Sequence, residues 1–367
     1  MMRETAKSQL VDAYDGRAVK YFIIDGTEST YATSIHRGRL FCSCRGFSVW
    51  KRCKHAERLM KMFELDDILS GCKIKEVRSS LNAMNELFGV CPYNSDEIFV
   101  IYSKPNVGKT LLMVQESFWF MHNGLNVLYV DTEGGIYQFV KKWAQVFSAR
   151  FEKKGKMYIE SRKGIESLFE FLGYRAGIVF RSADSKKEKG KLEFRIVETI
   201  DEDIKRKEKI KTIDDVIKEK NIDVVIIDSV TMPIREFTLE QQSHPAKDSA
   251  LSIMMLKLAR IMEENNVIVI TTAHASDNPA NPYERGAEVR GGRALKHIGK
   301  RIVYMDAREK KGLENYRRFW LVRAEDVEKW SKATAAKITD LGYIDIDDRE
   351  YSEVFTKAEI DRMNEYD

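Results

Sequence analysis

The chain has 367 residues, 43% of them hydrophobic and 32% charged, with a formal charge of +4. That length implies two or three domains with a sizeable core, and so small a net charge leaves only local basic loops as an argument for nucleic acid. No run of about 18 apolar residues occurs, and the start Met1-Met2-Arg3-Glu4-Thr5 lacks an apolar secretion core, so no membrane partner and a cytoplasmic location are expected.

Tyr21 to Ile24, Thr30 to Ile35 and Arg39 to Cys42 are β-rich runs, the first two separated by the turn signal Asp25-Gly26. They lead into Cys42, Cys44, Cys53 and His55, spaced C-x-C-x8-C-x-H. Two close pairs of N/S donors joined by a loop satisfy the tetrahedral demand of zinc, and all four ligands are protein groups, so the site is expected to be structural. Residues 56–63 read as a helix that follows His55. The expected organisation is a zinc-binding module over 1–65, a linker over 66–80, a larger core over 81–348 and a tail over 349–367. Cys72 and Cys91 fit no second metal site and read as buried thiols.

A helix is expected over 79–89, followed by a buried strand from Ile98 to Tyr102. Next come Ser103, Lys104, Pro105, Asn106, Val107, Gly108, Lys109 and Thr110, and then an apolar helix over 111–121. Strand, tight loop and a helix opening with Gly-Lys-Thr form the P-loop context, in which main-chain N–H groups cradle phosphates. Lys109 would reach the β- and γ-phosphates of ATP, and the Thr110 hydroxyl would hold Mg²⁺. Ser103 stands where the motif has glycine. Val127 to Val130 is a second buried strand, running into Asp131-Thr132-Glu133-Gly134-Gly135. In a parallel sheet such an acidic end lies where chemistry is placed, so Glu133 is a candidate to activate water.

Residues 150–220 read as a charged elaboration, with a hairpin over 178–181 and 192–198. Ile222 to Val230 is a third apolar strand, and its Asp228 would sit near Mg²⁺ through water. An amphipathic helix over 249–264 and the strand Val267 to Thr271, ending near His274, follow. Ile302 to Met305 and Phe319 to Val322 add further strands. The alternation predicts an α/β fold with a mostly parallel sheet covered on both faces.

The Cys-Ser-Cys, Cys-Lys-His and following helix resemble the SWIM zinc finger over residues 20–65. YVDTEGG at 129–135, VVIIDSVT at 224–231, VIVITTAH at 267–274, RGGRALKH at 290–297 and RRFWLVRAEDVEKW at 317–330 are the remaining pieces. With the P-loop they resemble the archaeal RecA/RadA recombinase superfamily, and within it the RadB paralogues. The resemblance implies a RecA-like ATPase core with ATP at Ser103 to Thr110, Mg²⁺ at Thr110 and Asp228, Glu133 as the water-activating carboxylate, and His274 in place of a glutamine that senses the γ-phosphate. It aligns 231–248 and 275–292 with DNA-facing loops, whose candidate phosphate contacts are Arg235, Lys247, Arg285 and Arg290. Arg293, Lys300 and Arg301 are candidates to act on a neighbour's ATP. The linker lacks the Phe-x-x-Ala polymerisation segment of true recombinases. The implied role is an ATP-binding accessory factor in recombination and repair, working with single- or double-stranded DNA and a RadA-type recombinase or another paralogue. The alternative is a protein-binding scaffold that ATP locks in shape.

Overall fold

The computed structural model describes residues 18–24, 30–36, 39–42, 74–89, 91–181, 191–234, 244–276, 288–289, 295, 297–308, 310–324 and 332–364. The chain divides into two units, Met1–Ile74 and Lys75–Asp367. In the first, β1 (Ala18–Ile24), β2 (Thr30–His36) and β3 (Arg39–Cys42) form an antiparallel sheet in that order. Cys42 ends β3, while Cys44, Cys53 and His55 lie outside the described residues.

The second unit begins within the expected linker. β4 (Glu76–Val77) pairs with β5 (Tyr93–Asn94), and α1 (Asn82–Phe88) lies between them. Ahead of them, the Lys75 ammonium meets Asp223 at 2.7 Å, so residues 75–80 are part of the core and not a spacer. The chain continues through β6 (Phe99–Ser103), α2 (Lys109–His122), β7 (Val127–Asp131), α3 (Ile136–Arg150), β8 (Met157–Ser161) and α4 (Ile165–Phe171). The expected hairpin is present as β9 (Tyr174–Arg181) and β10 (Lys191–Thr199), followed by α5 (Glu202–Glu208) and α6 (Ile213–Lys220). Then come β11 (Val224–Asp228), α7 (His244–Asn265), β12 (Ile268–Ser276) and β13 (Glu288–Val289). The last elements are β14 (Arg301–Ala307), β15 (Tyr316–Arg323), β16 (Ala333–Thr339), β17 (Gly342–Asp345), α8 (Asp348–Val354) and α9 (Lys357–Asn364).

The main sheet runs β17-β16-β15-β14-β6-β12-β11-β7-β8, with β13 paired to β12 off this path. From β14 to β8 every pairing on the path is parallel, and β15 to β17 extend the sheet antiparallel. The fold is therefore α/β with a large, mostly parallel central sheet. Period-two alternation sorts its residues into two layers. Val100, Leu128, Val130, Val225 and Ile227 pack with α4, α6 and α7, whereas Phe99, Ile101, Tyr129, Val224 and Ile226 pack with α1, α2 and α3.

Two expectations are corrected here. Residues 150–220 are not a pure elaboration, because β8 is a strand of the main sheet, in parallel register with β7. The expected tail carries α8 and α9, and Val354, Phe355 just past the end of α8, and Met363 close a small core against Leu313, Tyr316, Ala333 and Ala335.

The helix α2 carries a carboxyl group, Glu116, that is wholly buried. It accepts hydrogen bonds from the Ser79 hydroxyl at 3.0 Å and the Ser80 hydroxyl at 2.6 Å. Burial still pushes its pKa up to about 7. Since the folded state holds the proton more tightly, stability is highest below the unfolded pKa near 4.5 and falls as pH rises through about 7. The expected loss across that window is about 3 kcal/mol, and Glu116→Gln should flatten it. Thermal melts of both proteins between pH 4 and 8 check this, and parallel profiles would refute it.

Candidate functional site

Parallel register brings four strand ends to one edge of the sheet. Ser103 on β6 lies opposite His274 on β12, and Asp131 on β7 lies opposite Asp228 on β11. The strand between β6 and β11 is β12, so His274 stands between the loop strand and the acidic strand.

The segment 103–110 leaves β6 and re-enters as α2. Ser103 is not among the residues with positive φ; it is fully buried in the strand, so serine needs no glycine-like backbone there. The positive φ values fall at Asn106, +62°, and Gly108, +112°. At Gly108 a side chain would be both strained and crowded, since a Cβ would lie 2.6 Å from the Tyr343 hydroxyl. Left-handed residues that alternate with right-handed ones form a concave array of N–H groups suited to anions.

Lys109 opens α2 and is buried, its ammonium 3.0 Å from the Ser103 hydroxyl. Burial pushes its pKa down, opposed by the charges of Asp228 and Glu133. Thr110 follows, and its hydroxyl donates to Asp228 Oδ2 at 2.8 Å. Tyr129 donates to the same oxygen at 2.7 Å, and Thr272 donates to Oδ1. Burial raises the Asp228 pKa, with these three hydroxyls opposing it. A carboxylate and a hydroxyl facing each other are hard oxygen donors of the kind Mg²⁺ takes, and a cation there would offset the cost of burying Asp228.

Glu133 is partly exposed at the mouth of the site and accepts from His274 Nε2 at 2.8 Å. Burial pushes its pKa up, but hydrogen bonds from His274 and Ser229 and the charge of Lys109 outweigh this and hold it below the ordinary carboxylate value. The His274 Nδ1 atom is buried without a hydrogen-bond partner, while Nε2 faces Glu133. The His274 main chain is held by Thr231 Oγ1 at 2.9 Å.

Asp131 does different work. Its carboxylate accepts from the N–H groups of Glu133 at 3.2 Å, Gly134 at 2.7 Å and Ile136 at 3.3 Å, tying down the turn that carries Glu133. Asp131→Asn is therefore expected to lower the thermal midpoint more than it alters turnover, because the amide keeps one acceptor oxygen and loses the charge. Paired melting and turnover measurements check this, and the reverse ordering would refute it.

Lys109, Thr110, Glu133, Asp228 and His274 thus share one edge. Arg301 does not join them: its guanidinium donates to Glu97 at 2.6 Å in a buried pair, so it is not free to reach a neighbour. Lys247 falls in α7, whereas Arg235, Arg285, Arg290 and Arg293 lie outside the described residues. Tyr129 and Thr272 escaped the sequence reading. The one signal for Tyr129 was a hydroxyl inside an otherwise apolar buried strand, which must find a partner. Among the described residues, no helix is long and apolar enough to cross a membrane. Comparison with family models and with curated proteins finds no match for this chain.

Proposed function

We propose that the second unit binds Mg-ATP at this edge and hydrolyses it slowly, as a RecA-like P-loop ATPase of the RadB kind. The observation that carries the reading is the 2.8 Å bond between Thr110 and Asp228, which joins the start of the loop helix to an acidic strand 118 residues further on. In this reading the N–H groups of the loop hold the β-phosphate, and Lys109 moves from Ser103 to the γ-phosphate. Thr110 and Asp228 would be the residues that hold the metal. Mg²⁺, when bound, would offset phosphate charge and fix the leaving group. Glu133, kept ionised, takes a hydrogen bond from the attacking water, and His274 moves its Nε2–H from Glu133 to a γ-phosphate oxygen.

The cellular role we propose is that of an accessory factor in recombination and repair, acting with DNA and a RadA-type recombinase or another paralogue. This part rests on the sequence resemblance. It is tested by the ATP turnover of the full chain with and without single- or double-stranded DNA. Stimulation of about tenfold or more would fit a group completing the site only on DNA. A rate indifferent to either DNA would remove DNA from the proposal.

For the first unit we propose a structural zinc held by Cys42, Cys44, Cys53 and His55, on the chemistry of that donor set. Cys53→Ser is expected to lower the zinc content and unfold the first unit while leaving ATP affinity within about twofold, because each unit has its own contacts. Metal analysis of freshly purified protein that finds no zinc would overturn it.

A further inference from the structure

The antiparallel end of the sheet reaches the phosphate loop directly. Arg317 on β15 donates through Nε to the main-chain carbonyl of Val107. Its NH1 group donates to the carbonyls of Glu314 at 2.6 Å and Tyr316 at 2.9 Å. The guanidinium is therefore fixed to its own hairpin on one side and grips the loop on the other. Tyr343 on β17 donates to the next carbonyl, that of Gly108, at 3.3 Å, and this oxygen also accepts the first helical bond from Leu112 at 3.1 Å.

The peptide unit is planar and trans, so a carbonyl and the N–H that follows it point in opposite directions. Holding the Val107 carbonyl toward β15 turns the Gly108 N–H away from β15. The helix already fixes the Gly108 carbonyl, but Arg317 donates at the preceding unit, where glycine, lacking a Cβ, leaves the backbone able to turn. An arginine suits this task because its planar fork bonds several acceptors in one geometry and its charge strengthens each bond.

We propose that Arg317 is a positioning residue of the phosphate site: by pinning the Val107 carbonyl it aims the Gly108 N–H at a bound phosphate. The inference rests on the nucleotide reading above and adds that the sheet extension sets the affinity of the loop.

The test is calorimetric titration of the full-length chain with Mg-ATP, beside steady-state hydrolysis. Wild type is measured first, and absence of binding there overturns both the nucleotide reading and this inference. Given wild-type binding, Arg317→Ala is expected to bind about tenfold to hundredfold more weakly, the loss of one aimed donor to a charged group. The defect should appear in KM, with kcat within about twofold, because Lys109, Glu133 and His274 are untouched. Millimolar ethylguanidinium should restore affinity to Arg317→Ala, which a merely structural loss would not allow. If Arg317→Ala does not fold, Arg317→Gln keeps most of the bulk and loses the fork, and about tenfold weaker binding is again expected. Affinity within about twofold of wild type in the folded variant would overturn the inference while leaving the nucleotide reading in place.

Discussion

Lys109→Ala is expected to lower Mg-ATP affinity by about hundredfold or more, since a charged hydrogen bond to phosphate is worth roughly 1.5–3 kcal/mol and Lys109 would serve two phosphates. The structure explains why so large an effect would come without unfolding. The Lys109 ammonium has one hydroxyl partner at 3.0 Å, Ser103, and burial disfavours its charge. Alanine removes that charge from a desolvated place and leaves the helix start intact, with the Leu112 N–H still bonded to the Gly108 carbonyl at 3.1 Å. Thermal stability should hold or rise slightly while affinity collapses. Calorimetric titration of wild type and variant decides the matter, and equal affinities would make the loop a relic.

Glu133→Gln is the second large effect. Glu133 sits 2.8 Å from His274 and is held ionised, so it can accept a proton-sharing bond from water. The amide is nearly the same size and cannot act as a base. Nucleotide binding with Mg²⁺ should persist while single-turnover hydrolysis falls by about 10²-fold or more. The low pKa of Glu133 also sets a pH dependence. Its carboxylate, active when ionised, remains so down to its lowered pKa, so hydrolysis through this group should fail only in acid, below the ordinary carboxylate value. Hydrolysis by Glu133→Gln at the wild-type rate would remove Glu133 from the mechanism and favour the scaffold role.

The parts of this site visible in the sequence are those that a single segment specifies. Continuous apolar runs such as Ile98 to Tyr102 and Val224 to Ile227 can satisfy burial on both faces only inside a parallel sheet, and they lie there. Asp228 was legible because it closes such a run, and Glu133 because it follows one in the acidic turn after Asp131. What was not legible depends on register. Thr272 meets Asp228 only because β12 runs beside β11, and nothing local to Thr272 announces it. Arg317 reaches Val107 across 210 residues of chain. The edge strand β8, Met-Tyr-Ile-Glu-Ser, is only half-buried and lacks a clean apolar period, and the alanine-rich β16 has weak strand propensity. Both are strands because a neighbour's edge needs hydrogen bonds.

The edge formed by Ser103 to Thr110, Glu133, Asp228 and His274 is proposed as a metal-dependent nucleotide site. The most direct measurement is titration of the wild-type full-length chain with ATP, once with Mg²⁺ and once with a chelator. Saturable binding of one ATP per chain, weakened by about tenfold or more without the metal, is predicted, since Thr110 and Asp228 would then face phosphate charge unaided. No saturable binding in either condition, or equal binding in both, would mean that this edge is no metal-dependent nucleotide site.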